Sequence, residues 1–183
     1  MKKHAGKPLD QCLMEQSNLQ FRLEMVSSAA RALWQLHQHS IADWPLSHGD
    51  ASVQNVFYDR ESRNATWFDF DLRHSLSVSS LKRHADDLRA FLFTLAIHFE
   101  QSTFDQVITA VGKSYSSTDV WLELIEQIKR LPHFDGDVFH KSQIRRALKS
   151  KGISNSNPST DLIIQAITLH GNTLAKRFPT HSR

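Results

Sequence analysis

His48-Gly49-Asp50-Ala51-Ser52-Val53-Gln54-Asn55-Val56-Phe57-Tyr58-Asp59 and, a polar turn later, Ala65-Thr66-Trp67-Phe68-Asp69-Phe70-Asp71 decide how this chain is read. Val53, Val56, Phe57 and Tyr58 make a short β-type run. The segment DRESRN (59–64) is rich in turn formers, and ATWFDFDL (65–72) is a second β-type run. Two short strands around a polar turn predict a β-hairpin. Asn55 lies five positions after Asp50, and Asp69 lies 14 after Asn55. A hairpin folds the end of its second strand back beside the start of its first. Asp69 is therefore expected to face the loop carrying Asp50 and Asn55. Two carboxylates and an amide there make an oxygen-rich pocket. It suits a hard divalent cation that keeps several waters and shares substrate phosphates, as magnesium does.

Working outward, Leu19, Leu23, Val26, Ala30 and Leu33 recur at steps of three and four, which predicts a helix over 18–39. Met25, Ala29, Ala32 and Leu36 add a second apolar face, so this helix is expected to be buried on more than one side. Pro45 disfavours helix at Trp44 and ends the run. Downstream, Leu88 to Phe99 reads as a buried core helix with Asp86 or Asp87 as its N-cap. Amphipathic segments follow at 103–115, 119–131, 138–150 and 160–178. They are separated by Ser116-Ser117, by Pro132 to Gly136 and by NSNPST at 155–160. The expected fold class is mainly α (α+β), a helical bundle with one small hairpin that carries the polar residues.

Composition narrows the function classes. The 183 residues are 40% hydrophobic and 22% charged, an ordinary globular mixture that fits one domain. A net charge of +3 is compatible with phosphate-bearing ligands but too small to mark a nucleic-acid binder. The single Cys12 excludes an intrachain disulfide and a cysteine-rich zinc site, and it reads as structural. No stretch reaches the length of a membrane span and the basic N-terminus lacks an apolar segment, so a cytoplasmic setting is expected. Trp34, Trp67 and Trp121 read as core, and Trp44 as a possible cover for the nearby loop. His37, His39, His74 and His84 show no ligand spacing and are taken as helix-surface or loop histidines.

Phosphoryl transfer needs the charge on the moving group neutralised, and an acceptor hydroxyl aligned and relieved of its proton. Protein kinases divide that labour between an H-R-D-x-x-x-x-N loop and a D-F-G acid. His48-Gly49-Asp50, four residues and then Asn55 resembles the corresponding loop of the aminoglycoside phosphotransferase and choline kinase families. Trp67-Phe68-Asp69-Phe70-Asp71 resembles their metal motif, in a form also similar to bacterial lipopolysaccharide core sugar kinases. AARALWQLHQHSI (29–41) resembles the helix that ends in a Leu-His pair before the catalytic loop. Asp86-Asp87-Leu88-Arg89 resembles the acid that ties down that loop's backbone.

The resemblance implies Asp50 as the catalytic acid–base residue, Asn55 and Asp69 as magnesium ligands, His48 as a loop support packed near Phe70, and Asp87 (or Asp86) as the loop anchor. It implies Mg2+ and ATP as cofactors, and a hydroxyl-bearing small molecule or sugar as acceptor more readily than protein. HAGKPLDQCL (4–13) resembles the stretch just after an inter-lobe hinge, and no G-x-G-x-x-G precedes the first long helix. The chain is thus expected to be a kinase-like C-terminal lobe without its N-terminal lobe. Residues 1–17 would be hinge-like, 18–99 the catalytic core and 100–183 accessory helices. A separate chain or segment would then supply the nucleotide clamp.

The alternatives are a truncated or pseudokinase binding module and, more weakly, a basic helical nucleic-acid binder resting on Lys141, Arg145, Arg146, Lys149 and Lys151, a cluster that more often means a solvated helix face. A metal-dependent hydrolase using His48 and Asp50 lacks convincingly placed further ligands. Polar residues of this type also populate ordinary turns beside strands.

Overall fold

The computed structural model describes residues 6–41, 44–71, 74–75, 77–129 and 160–177. The elements in chain order are β1 (Lys7–Pro8), α1 (Leu9–Glu15), α2 (Leu19–His37), β2 (Ser40–Ile41), β3 (Trp44–Pro45), β4 (Val56–Asp59), β5 (Asn64–Trp67), α3 (Ser80–Leu95), α4 (Phe104–Ser114), α5 (Thr118–Lys129) and α6 (Thr160–Arg177). The architecture is mainly helical with a small antiparallel sheet.

Helix α2 begins where Asn18 caps it, the Asn18 side chain accepting from the Phe21 N–H at 3.1 Å. Both apolar faces are used. Met25, Val26, Ala29, Ala30 and Leu33 are fully buried, against β5 on one side and α4 on the other. Small side chains at 28–30 let the hairpin lie close, and the Trp67 indole N–H donates to the Ala29 carbonyl at 3.1 Å.

The hairpin forms as the sequence predicts, in a register running from Val56↔Trp67 to Asp59↔Asn64. Its turn is set by the Asp59 carboxylate, which accepts from the Ser62 hydroxyl at 2.6 Å and the Glu61 N–H at 3.0 Å. A third strand, not foreseen, is added by β1, which pairs antiparallel with β4 through Lys7↔Tyr58. Gly6 makes this docking possible. Its φ is +123°, and a Cβ there would sit 2.7 Å from the Tyr58 carbonyl oxygen.

Helix α3 departs from expectation at its start. It begins at Ser80 with Ser79 as N-cap, the Ser79 hydroxyl accepting from the Lys82 N–H at 3.5 Å. Asp86 and Asp87 are therefore interior to the helix and cap nothing. Asp87 points into the protein because its carboxylate serves another segment. Leu88, Phe91, Leu92 and Leu95 are fully buried, as expected of a core helix, and a short 3-10 turn at Ala96–His98 continues it. Helices α4, α5 and α6 pack around this core, with Phe104, Val107, Val111, Trp121 and Ile167 buried. Trp67 is buried and Trp34 half-buried against the core, whereas Trp44 is 53% exposed. Cys12 is a buried core residue whose thiol is pushed up by burial.

The expected helix at 138–150 and the basic residues Lys141, Arg145, Arg146, Lys149 and Lys151 lie outside the described residues. Among those described, no helix is long and apolar enough to cross a membrane.

Candidate active site

The loop entering the His48 motif is held from below, residue by residue, by groups on or against α3. The His84 Nε2–H donates to the Leu46 carbonyl at 2.8 Å. His74 bridges the Ser47 hydroxyl, at 3.0 Å from Nδ1, to the Asp86 carboxylate, at 2.9 Å from Nε2. Asp87 then takes two consecutive amides. Its Oδ2 accepts the His48 N–H at 2.6 Å and its Oδ1 accepts the Gly49 N–H at 2.8 Å. Gly49 sits at φ +86°, in the left-handed region where a side chain is strained. The glycine of the motif is thus what lets two successive N–H groups reach one carboxylate.

Asp87 is only 1% exposed, and Oδ2 also accepts from His37 Nε2 at 3.0 Å. A carboxylate can only accept, so Nε2 of His37 carries a proton, and in the neutral ring Nδ1 accepts from the Tyr115 hydroxyl at 2.6 Å. Burial, reinforced by the Asp87 charge, pushes Tyr115 far above the ordinary phenol range, which keeps it a donor. The His84 ring stacks on His37 with centroids 4.0 Å apart. Burial first, then the neighbouring His37, lowers His84 to about 4. His74 moves the other way. Burial works against its charged form, but the Asp86 hydrogen bond and the charges of Asp87 and Asp86 outweigh it and raise its pKa.

Of the four histidines taken from sequence as helix-surface or loop residues, His74 does lie in a loop, but it, His37 and His84 all have structural partners. His37 is buried and His74 and His84 are half-buried, all in the loop's support. His39 alone is exposed as expected. The signal for His37 was available, since it continues the Val26–Ala30–Leu33 seam by another four-residue step. Tyr115 similarly extends the Phe104–Ile108–Val111 stripe of α4.

Above the support, His48 is fully buried and ties the two motifs together. Its Nε2–H donates to the Phe68 carbonyl at 2.8 Å, and its Nδ1 accepts the Asp50 N–H at 3.3 Å. Its ring packs 4.6 Å from Phe70, as the sequence implied, and 5.2 Å from Trp67. Asn55 stands beside Asp50. Its Nδ2 donates to the Asp50 carbonyl at 2.9 Å and to Oδ2 at 3.1 Å, and its amide oxygen has no partner among the described residues. The Asn55 carbonyl accepts the Phe68 N–H at 3.0 Å. Phe68 is thus bound on its N–H side to the Asn55 segment and on its carbonyl side to His48, immediately before Asp69.

Asp69 is exposed, at φ +64°. Asp tolerates that region better than most residues, but it remains a strained backbone state of the kind found where geometry serves function. Its carboxylate makes no hydrogen bond or ion pair among the described residues. Of the two acids after Leu81, Asp87 anchors the loop and Asp86 pairs with His74 and Arg89. No group of three or more His, Cys, Asp or Glu among the described residues converges on a cation position. The free amide oxygen of Asn55 and the Asp69 carboxylate are two hard oxygen donors, and magnesium characteristically takes few protein ligands and fills its remaining positions with water and phosphate. No family model matches the chain, and no protein of curated function matches it.

Proposed function

We propose that this chain is a kinase-like C-terminal lobe that, with magnesium and ATP, transfers a phosphoryl group to a hydroxyl of a small molecule or sugar. The observation that carries the reading is the double tie of Phe68 to Asn55 and His48. It supports a fixed position of Asp69 relative to Asp50, through one backbone bond and one buried histidine side chain rather than through exposed side chains, and such positioning is most of what phosphoryl transfer asks of a protein.

In this reading Asp50 aligns the acceptor hydroxyl and receives its proton. The Asn55 amide holds the Asp50 carboxylate in place through Nδ2, and its oxygen, with the Asp69 carboxylate, would hold the metal. Magnesium, when bound, neutralises charge on the phosphate oxygens. His48 acts through Phe68 and Asp50, as a positioning residue. Asp87 keeps the loop in register from beneath, with its carboxylate already fully engaged. The described residues contain no glycine-rich strand turn with a lysine to grip the α- and β-phosphates. That clamp belongs, in this reading, to an upstream segment or a separate chain. The proposed setting is the cytoplasm, where ATP and magnesium are plentiful.

The test is calorimetric titration of ATP with and without magnesium, on the wild type and on Asp69→Asn. Magnesium-dependent binding that weakens at least tenfold in Asp69→Asn supports the reading. Binding that ignores both the metal and the substitution sinks it. With the clamp supplied, Asp50→Asn should bind Mg·ATP normally and fail to transfer phosphate. A wild type that binds but never transfers would make the chain a binding module.

A further inference from the structure

Asp87 holds the start of the His48 loop, and one hydroxyl of the same helix holds its far end. Thr94 lies seven residues after Asp87 on α3, almost two full turns. Both side chains therefore leave the helix on one face, about 10 Å apart along its axis. Asp87 takes the His48 and Gly49 N–H groups, whereas Thr94 Oγ1 accepts the Val53 N–H at 3.2 Å. We infer that Thr94 is a positioning residue of the site, acting through Val53 to set Asn55 against Asp50. Its bearing on magnesium and ATP rests on the phosphotransferase reading above.

The local chain explains why a hydroxyl is needed there. Val53 opens a single 3-10 turn that ends on Asn55. The first N–H of a turn has no carbonyl within that turn to reach. Val53 is only 2% exposed, so a protein acceptor has to stand where water does not. Thr94 is buried too, and its own proton is shared by the Ala90 and Phe91 carbonyls, at 2.8 and 3.0 Å. The oxygen is thereby left to accept from Val53. A threonine bonded back to the preceding turn usually serves only its own helix. Thr109 and Thr168 do so, bonding the Asp105 and Ile164 carbonyls at 2.8 Å, and neither hydroxyl reaches another segment among the described residues.

From Val53 the hold passes along bonded atoms. The Ser52 N–H donates to the Asp50 carbonyl at 2.8 Å, and the Asn55 N–H to the Ser52 carbonyl at 3.0 Å. The Asn55 side chain then closes on the Asp50 carbonyl and carboxylate. On its strand side Asn55 is held by the Phe68 N–H, and Thr94 supplies the tie on its turn side. The segment from Asp50 to Asn55 is thus strung between two points of one helix, and the Asp87–Thr94 spacing sets the distance it must span. A hold of this kind matters because a small displacement of a group that must meet a metal or a reacting atom weakens what it does there.

Thr94→Val keeps the shape of the side chain and removes the hydroxyl, whereas Thr94→Ser keeps the hydroxyl. The side-chain amide signals of Asn55 in a nitrogen-15 NMR spectrum report its position without any ligand. They should move in Thr94→Val and stay in place in Thr94→Ser. They should also stay in place in Thr168→Val, which loses only a bond within its own helix. Magnesium-dependent ATP affinity should fall at least tenfold in Thr94→Val and no more than twofold in Thr94→Ser. In the wild type, hydrogen exchange should find the Val53 amide protected, which needs no variant to fold. Unmoved Asn55 signals in Thr94→Val overturn the inference, as does a Val53 amide that exchanges like unfolded chain. So does a Thr94→Ser protein as perturbed as Thr94→Val, or moved Asn55 signals with unchanged affinity. A wild type without magnesium-dependent binding removes the phosphotransferase reading instead, and the Asn55 signals then decide alone whether Thr94 positions that residue.

Discussion

The two sides of the His48 loop are built to opposite rules. Beneath it, Asp87, His37 and Tyr115 are buried, and both oxygens of the Asp87 carboxylate are engaged. Above it, Asp69 is exposed and backbone-strained, Phe70 is 40% exposed, and the Asn55 oxygen is uncommitted. The closed side spends polar groups on fixing a loop, and its interactions gain from low dielectric and full satisfaction. The open side holds polar groups back from the fold, which is what the proposed magnesium and phosphate binding requires. The difference separates residues whose loss should unfold the chain from residues whose loss should leave it folded and idle.

The sharpest way to break that contrast is at Asp87. Asp87→Ala orphans two backbone amides and the His37 donor in a buried site, and should cost about 3–5 kcal/mol. A urea titration would show a large drop in midpoint at unchanged slope. Asp86→Ala removes a carboxylate that is a quarter exposed and orphans no backbone amide, though it leaves the buried Arg89 without that partner, so it should cost less than Asp87→Ala. Equal effects from the two would mean that the loop anchor is not the carboxylate identified here.

Tyr115→Phe is the next step down. It keeps the ring and removes only the hydroxyl that His37 Nδ1 accepts, so about 1–2 kcal/mol is expected. The diagnostic reading is the His37 ring nitrogens by NMR, where loss of the Tyr115 donor should move the Nδ1 resonance. An unmoved resonance would remove Tyr115 from the network.

Histidines sharpen the comparison within the support itself. His84, lowered to about 4, stays neutral when folded, while the unfolded chain takes up a proton below about 6.5. Its contribution to stability is present above that value and is lost as pH falls toward 4. His74 is raised, so its contribution is full below the ordinary histidine value and fades as pH rises through its own. Ring-proton titrations should find the two histidines on opposite sides of 6.5. Finding both on the same side would contradict the environments described for them.

Much of this was legible in the residues, for identifiable reasons. Three-to-four periodicity gave α2 to within two residues at each end, since it buries regular faces. Two β-type runs around a polar turn gave the hairpin, but its second strand is Asn64–Trp67 rather than the whole run 65–72, and Val53 of the first run lies in a 3-10 turn. The spacing of Asp50, Asn55 and Asp69 sufficed to bring their segments together because one tight turn joins them. The start of α3 was missed because SVSSLKRHADD is polar in composition, and a carboxylate mid-helix looks like a cap until its long-range partner is known. The pairing of β1 with β4 was missed because a two-residue strand has no periodicity to read. His37 and Tyr115 lay on apolar stripes as polar outliers. A buried polar residue is only understood through its partner, and here the partners are 50 and 78 residues away.

The smallest expected effect tests the open side most directly. Asp69 holds φ +64° without any bond to the rest of the described protein that would repay the conformation. Glycine adopts that region without a Cβ penalty, so Asp69→Gly should stabilise the fold by about 1 kcal/mol, offset in part by glycine's greater freedom in the unfolded chain. The same substitution removes a proposed metal ligand and should abolish magnesium-dependent ATP binding. A variant that is more stable and no longer binds is the signature of a residue kept for function against the preference of the fold. If Asp69→Gly instead destabilises by more than about 1 kcal/mol, Asp69 is holding the hairpin end together, and the division between a closed structural side and an open working side fails at its most exposed point.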